Sequence, residues 1–383
     1  MRPISVTSIL SRLTERLVVR NFFKSAMADC FDLSNQFAYQ TTCSSTSALI
    51  AILSHVTQLL KTYTHVHIIT FDYSKAFDTL SHSSVASSLA RLAAPDCIYN
   101  WVLDFLSNRS HVTQFHEHVS SSVSITADVI QGSVLGPTLF NLSSSSLKPL
   151  SPINKYFKYA DDGYLVVPSG NAATIPLEIK HHEEWALDKN LKLNVDKTVE
   201  IIIVRRRCKV PDSTPGQGVT RVPSLKILGV IFDEHLSFQS HISEVIKNCS
   251  QTLFALRTMR QHGLDNKSLM QVFSAKILTK ITYACPSWWG FISTSSRQQL
   301  ESFLNKAIKF GYYPPNHSNF AQIVETQECN LFHSIASNSN HCLYHLLPPK
   351  KQTNYDLRRR GHDFILPLKD DCNFIERCLF KYI

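Results

Sequence analysis

Phe71-Asp72-Tyr73-Ser74-Lys75-Ala76-Phe77-Asp78 and Tyr159-Ala160-Asp161-Asp162, with their leading acids 161 − 72 = 89 residues apart, decide how this chain folds. Val66, Ile68, Ile69 and Phe71 lead into Asp72; Tyr156, Phe157 and Tyr159 lead into Asp161, and Tyr164-Leu165-Val166-Val167 leads out again. Such runs predict a strand, and then a hairpin with carboxylates at its tip. If the two strands are neighbours, Asp72 and Asp161 meet at a solvent-facing edge. They then form a hard-oxygen site suited to Mg²⁺, which keeps waters and substrate phosphates as its other ligands. Two metals about 4 Å apart activate an attacking oxygen and stabilise a leaving one, as nucleotidyl transfer requires. The plainer account is turn chemistry, because Asp bonds its own backbone and tolerates left-handed dihedrals. Asp72 would also serve as an acid near the N-terminus of the helix expected over 74–89.

Further motifs follow in order: Gln131-Gly132-Ser133-Val134-Leu135-Gly136-Pro137, Leu191-Lys192-Leu193-Asn194-Val195-Asp196-Lys197-Thr198 and Leu228-Gly229-Val230-Ile231-Phe232. Arg2-Pro3-Ile4-Ser5 opens the chain and Asn373-Phe374-Ile375 lies near its end. With these residues in this order the chain resembles the reverse transcriptases of LINE-type, non-LTR retrotransposons. The resemblance implies an α+β fold: a right-hand polymerase palm with partial fingers and a helical thumb. It also implies an RNA-directed DNA polymerase that extends a DNA primer on an RNA template with dNTPs and two Mg²⁺ ions, Mn²⁺ being a substitute.

Site roles follow residue by residue. Asp72 and Asp161 are the expected metal ligands, the Tyr73 carbonyl a further contact, and Asp162 either assists or holds the turn. Phe77 is either an ordinary core aromatic or, as the resemblance implies, a side chain that excludes a ribose 2′-OH. At Gln131-Gly132 a glycine lets backbone approach a base or nucleotide closely, and Gly136-Pro137 begins a helix with an electropositive N-terminus. By resemblance Lys197 lies near the triphosphate and Arg2 approaches the incoming nucleotide; a solvated surface lysine is the alternative for Lys197. Arg205, Arg206 and Arg207 are either a solvated charge run or phosphate contacts.

With 383 residues the chain holds two or three modules, and Lys+Arg 39 against Asp+Glu 30, a formal +9, suits a polyanionic partner. The 10 Cys are irregularly spaced, without Cys-x-x-Cys, so they read as reduced intracellular thiols rather than zinc ligands or a disulfide framework. Neither a charged leader with an apolar stretch nor a long apolar run occurs, so secretion and membrane spanning are not expected. The expected site is intracellular, nucleus or cytoplasm, of which the resemblance implies nuclear action, while oligomeric state is not legible. Gly-x-Ser-x-Gly and P-loop patterns are absent.

The expected division is partial fingers over 1–64, palm over 65–237, helical thumb over 238–325 and a basic appendage over 326–383. An amphipathic helix is expected over 4–27, with Ile9, Leu10, Leu13, Leu17 and Val18 on its apolar face and Arg12, Arg16 and Arg20 on another. Strands are expected within 111–130 and a helix over 172–189. Ser143 to Ser146 either fray the helix after Pro137 or mark drift from the family pattern. Two stripes, Ile242, Val245, Ile246, Cys249, Leu253, Leu256 and Val272, Phe273, Ala275, Ile277, Leu278, Ile281, predict thumb helices, with a third over 298–310. Trp288-Trp289 reads as core, and His65, His67, His181 and His182 as structural or exposed.

Three departures, one of them the serine run Ser143 to Ser146, support a second reading, a truncated relic that binds nucleic acid with little or no polymerisation. Gln40 stands where the family commonly has Arg, and the chain opens at the Arg-Pro-Ile-Ser motif. Loss of that Arg removes a charge-assisted contact worth about 1.5–3 kcal/mol.

Overall fold

The N-terminal helix α1 (Ile9–Val18) starts on Ser8, whose hydroxyl accepts from the N–H of Ser11, and passes through a π turn (Val19–Phe23) into α2 (Lys24–Cys30). The computed structural model describes residues 7–30, 33–125, 127–130, 132–194, 197–205, 207–211, 219–316, 318–351 and 362–382. Next come α3 (Ser45–Thr62), β1 (His65–Phe71), β2 (Tyr73–Ser74), α4 (Ala76–Thr79), α5 (His82–Leu89) and α6 (Asp96–Leu106). Four short strands follow, β3 (Arg109–His111), β4 (Gln114–Phe115), β5 (His118–Val119) and β6 (Val123–Ile125). After α7 (Leu135–Ser144) lie β7 (Lys155–Tyr159), β8 (Asp162–Pro168), α8 (Ile175–Asp188), β9 (Lys192–Leu193), β10 (Val199–Val204) and β11 (Thr220–Arg221). The remainder is β12 (Ser224–Ile227), β13 (Val230–Asp233), α9 (Gln239–Gln261), α10 (Asn266–Val272), α11 (Thr279–Ile281), α12 (Cys285–Trp288), α13 (Thr294–Lys309), α14 (Phe320–Ser337) and α15 (Phe374–Lys381). The mixture is α+β, as expected.

The chain divides into two compact units. The first comprises Met1–Gln40, His67–Glu200 and Ser213–Arg221. Its five-stranded sheet has the order β11-β10-β1-β8-β7. β7 and β8 pair antiparallel, with Tyr156 opposite Leu165 and Tyr159 opposite Asp162; β10 and β11 pair parallel through Val199 and Thr220. Ile69, Phe71, Tyr156, Leu165 and Val167 pack with Ile175 and Ile179 of α8. A second apolar cluster joins Val18 and Phe23 to Leu80, Val85, Leu89, Val102, Leu106, Leu139 and Phe140.

Several expectations change here. Of the apolar face expected on α1, Ile9, Leu10, Leu13 and Leu17 are exposed, Ile9 at 77% and Leu10 at 76%, and Val18 alone is buried, together with Glu15. The reason is Glu15, whose carboxylate has backbone partners in the interior, so the helix turns that face in. The expected helix over 74–89 breaks into α4 and α5, because Leu80 leaves helical geometry and Ser81 starts a new cap by accepting from Ser84 N–H. The strands expected within 111–130 form two short antiparallel ribbons, β3–β6 and β4–β5. A 3₁₀ turn (Ser169–Thr174) precedes α8 where one helix was expected. The serine run closes α7: Ser144 and Ser145 hydroxyls donate to the carbonyls of Asn141 and Leu142, and Ser146 accepts from Trp185 Nε1. Serines are apt there, since their hydroxyls bond the helix's own backbone.

The second unit comprises Thr41–Val66, Ile201–Asp212 and Val222–Ile383. Its β12–β13 hairpin turns through Leu228 (φ 45) and Gly229 (φ 85), the paired positive dihedrals that a two-residue turn with matching twist demands. A Cβ on Gly229 would lie 3.2 Å from the Tyr283 ring, whose hydroxyl donates to Leu228 O at 2.9 Å. Along α9 the expected stripe is buried at Ile242, Val245, Cys249, Leu253 and Leu256, with Ile246 less so. In the next helical stretch Leu269, Phe273, Ile277 and Ile281 are buried instead of Val272, Ala275 and Leu278, because a π turn (Phe273–Leu278) changes the helical register. The third helix starts earlier than expected, at Thr294, where Ser293 supplies the cap. Trp288 is core, its Nε1 donating to Tyr283 O at 3.0 Å. α14 opens with a capping box formed by Asn319 and Gln322. Glu328 on that helix is buried against Arg377, 2.6 Å away. Among the described residues no helix is long and apolar enough to cross a membrane.

Candidate active site

Two strand ends meet in the first unit. β1 stops at Phe71 beside the start of β8, for a Cβ on Gly163 would lie 3.7 Å from that of Phe71. Asp72 and Asp161 therefore leave the sheet at the same end. Electrostatics agree: burial and then the charge of Asp161 raise the Tyr73 hydroxyl well above the usual tyrosine range, so Asp161 lies near the neighbour of Asp72. Tyr159 and Asp162 pair across a two-residue loop, Ala160-Asp161, in which Ala160 is left-handed at φ 54. Such a conformation costs a residue with a Cβ about 1–3 kcal/mol and persists only where neighbours enforce it. Gln36 does so here, its buried Oε1 accepting from the N–H groups of Ala160 (3.1 Å) and Ala38 (3.0 Å). The adjacent backbone zips onto β7 through Phe37 N–H to Lys158 O at 2.8 Å and Lys158 N–H to Asn35 O at 2.7 Å.

The fourth motif lies along the first. β2 pairs antiparallel with β9, Tyr73 opposite Leu193, and Asn194 N–H donates to Asp72 O at 2.8 Å. Because hydrogen-bonded and non-bonded pairs alternate in such a ladder, the Tyr73 carbonyl turns away from β9. Lys197 N–H donates to Asn194 O at 3.1 Å, and Lys197 Nζ lies 3.1 Å from Asp72 Oδ2. The lysine side chain is 65% exposed and that of Asp72 33%. An ammonium thus already occupies the carboxylate. Two partly exposed carboxylates and a carbonyl are hard oxygen donors, the set that suits Mg²⁺ with part of its water shell retained. Among the described residues no group of three or more His, Cys, Asp and Glu side chains gathers as a metal cage.

Phe77 is half-buried, stacked on Phe140 at 4.6 Å and meeting Tyr39 edge-on at 6.4 Å. Tyr39 in turn senses Asp161, which together with burial raises its hydroxyl pKa. Gly132 has φ 109, and a Cβ on Gly136 would come within 2.9 Å of Ile130 O, so this loop needs both glycines. The N-terminus of α7 is not an open electropositive end. Glu15 Oε2 accepts from Val134 N–H (2.7 Å) and Leu135 N–H (2.9 Å), Ser133 Oγ accepts from Gly136 N–H (2.8 Å), and Pro137 has no N–H to give. The donors of the first turn are spent inside the chain.

Beneath the strand ends lies His182 of α8, fully buried. Burial pushes its pKa down to about 3, with Lys158 and His181 adding to the shift, so the imidazole is neutral. Tyr73 OH lies 2.5 Å from Nε2 and Tyr156 OH 3.2 Å from Nδ1.

Of the expected site residues, Asp72, Tyr73, Phe77, Gly132, Asp161, Asp162 and Lys197 fall in the first unit. Arg2, Gln131 and Arg206 lie outside the described residues. In the second unit Arg205 caps α3, its guanidinium donating to the carbonyls of Leu60 and of Lys61 (2.8 Å), while Arg207 is exposed. Glu15, Gln36, Tyr39 and the bonding of His182 escaped the sequence reading. Glu15 did carry a signal, as the one acid in the helix expected over 4–27, which bears Arg12, Arg16, Arg20 and Lys24.

Residues 1–232 match the family model described as reverse transcriptase (RNA-dependent DNA polymerase). A probable RNA-directed DNA polymerase from transposon BS of Drosophila melanogaster is 25% identical over 80% of this chain and 36% of its own length. The RNA-directed DNA polymerase from mobile element jockey of the same species is 26% identical over 64% of the chain and 28% of its own length. The chain thus spans about a third of these relatives. Apo telomerase from Candida tropicalis overlaps 88% of this chain and 59% of its own, at 13% identity and a TM-score of 0.43.

Proposed function

The chain belongs to the reverse transcriptase (RNA-dependent DNA polymerase) family, and from that premise we propose that it is the polymerase part of a non-LTR retrotransposon protein, copying an RNA template onto a DNA primer from dNTPs. The observation that carries this reading is the convergence of Asp72 and Asp161 at one end of the sheet, with the Lys197 ammonium drawn onto Asp72 at 3.1 Å. Asp72, Asp161 and the Tyr73 carbonyl would hold two Mg²⁺ ions, or Mn²⁺ in their place, with Asp162 assisting or holding the turn. When bound, the metal supplies activation of the attacking hydroxyl and neutralisation of the departing pyrophosphate.

The chain's own side chains do the rest. Lys197, paired with Asp72 at 3.1 Å, would be free to meet the triphosphate with its ammonium where a divalent cation holds that carboxylate. Phe77, held by Phe140 and Tyr39, narrows the space beside the sugar and so disfavours a 2′-OH. Gln131-Gly132 and Arg2 complete the nucleotide contacts, and Arg206 and Arg207 meet phosphate; Arg205, committed to the end of α3, contributes less. On this reading 1–64 are partial fingers, 65–237 the palm, 238–325 the thumb and 326–383 a basic appendage. The site of action is inside the cell, nucleus or cytoplasm.

A second reading, a relic that binds nucleic acid without copying it, has one observation in its favour. The Gln40 amide, where the family commonly has Arg, is spent on the carbonyls of Leu33 (3.1 Å) and Gln36 (2.7 Å). Primer extension on an RNA template with Mg²⁺ and dNTPs decides, run beside Asp72→Ala and Asp161→Ala. Extension abolished by both substitutions is expected; duplex binding without extension, indifferent to either, establishes the relic.

A further inference from the structure

We propose that His182 is a positioning residue for the carboxylate pair, one imidazole that fixes the strand end bearing Asp72 against the hairpin bearing Asp161. The inference rests on the reading of Asp72 and Asp161 as the metal-holding pair.

His182 touches the residues on both sides of Asp72. Its ring stacks on Phe71 with centroids 3.7 Å apart and an interplanar angle of 10°, and lies 5.6 Å from the Tyr73 ring at 15°. Side chains alternate along an extended chain, so Phe71 and Tyr73 share the face that His182 covers while Asp72 points to the other. The same imidazole reaches the second carboxylate's support: Tyr156, its hydroxyl 3.2 Å from Nδ1, lies on β7, the strand that runs directly into the Ala160-Asp161 loop.

The hydrogen bonds give this contact a direction that apolar packing lacks. A neutral imidazole has one donor and one acceptor nitrogen. With a tyrosine hydroxyl on each, one tyrosine must donate and the other accept, whichever tautomer is present. The chain Tyr73–His182–Tyr156 is therefore satisfied only when all three are present, and it ties the strand end at Tyr73 and the body of β7 to a single point on α8, where a Cβ on Gly163, just past the hairpin loop, would lie 3.9 Å from His182 Cε1. That helix is itself pinned, since Trp185 Nε1 donates to Ser146 Oγ at 2.8 Å. A carboxylate pair that shares cations loses affinity when the spacing of its members is no longer set.

The test uses Mn²⁺ binding to the full chain, followed by electron paramagnetic resonance without substrate, for wild type, Tyr73→Phe, Tyr156→Phe, the double variant and Asp72→Ala. Each tyrosine variant removes one oxygen and keeps the ring, and melting temperature is recorded without metal. Leu253→Ala, in the second unit, is the control for lost stability alone. The expected result is Mn²⁺ binding weakened about three- to tenfold by each tyrosine variant. The double variant falls short of the product of the two, because both act through one imidazole, and Leu253→Ala binds as wild type does. Tyrosine variants that bind Mn²⁺ like wild type, while Asp72→Ala does not bind, overturn the positioning role alone. Equal binding by wild type and Asp72→Ala, or none by wild type, refutes the carboxylate reading itself and this inference with it.

Discussion

Glu15 and Lys158 hold opposite ends of one helix: the Glu15 carboxylate accepts from Val134 and Leu135 N–H at the start of α7, and the Lys158 ammonium donates to Ser144 O (2.7 Å) and Leu147 O (2.9 Å) at its end. Both charged residues are buried, and each meets the end of the helix dipole that favours its sign.

Truncating either one leaves buried backbone groups unpaired. Glu15→Ala and Lys158→Met are each expected to lower stability by about 2–4 kcal/mol, measured by urea unfolding. The helix separates the two residues by roughly 15 Å, so the double variant is expected to lose about the sum. Single variants within 0.5 kcal/mol of wild type would contradict the capping account.

Lys197 is paired with Asp72 at 3.1 Å, so on the proposed reading it would compete with a cation for that carboxylate. The pair is exposed, worth about 0–1 kcal/mol, so Lys197→Met is expected to tighten Mn²⁺ binding to the nucleotide-free chain by up to about fivefold. Extension is expected to slow at the same time, because the ammonium is then missing at the triphosphate. A variant that loses both metal binding and extension would show that Lys197 serves the fold instead.

Phe77→Val shortens the side chain that stacks on Phe140. The ratio of kcat/KM for dNTP over rNTP is expected to drop by about tenfold or more, a change of at least ~1.4 kcal/mol in discrimination. Unchanged discrimination with a lowered Tm would leave Phe77 as a core aromatic.

His241 is buried, and burial pushes its pKa down to about 4, Lys226 adding to the shift and Glu244 opposing it. Its folded value lies below the unfolded one of about 6.5, so the unfolded chain binds the extra proton between these limits. The stability it contributes is intact above about pH 6.5 and is lost as pH falls toward about 4, at up to ~1.4 kcal/mol per unit. Thermal melts from pH 7 to 4.5 are expected to show a shallower acid decline in His241→Gln than in wild type.

What the sequence determined is the alphabet of the site. Apolar runs ending in Asp72 and Asp161 could only be strands with acids at their ends, and the ordered motifs fixed the family. The stripe along α9 was equally legible, since a 3.6-residue period leaves one face to bury. What only the tertiary structure decided is which groups those residues meet. The α1 periodicity marks two helical faces and cannot say which is inside; Glu15 settled that by finding two backbone N–H groups far along the chain. His182 read as one more histidine until folding set Tyr73 and Tyr156 on its two nitrogens. Periodicity is a local property and is written in neighbours, whereas a hydrogen-bond partner a hundred residues away is chosen by packing.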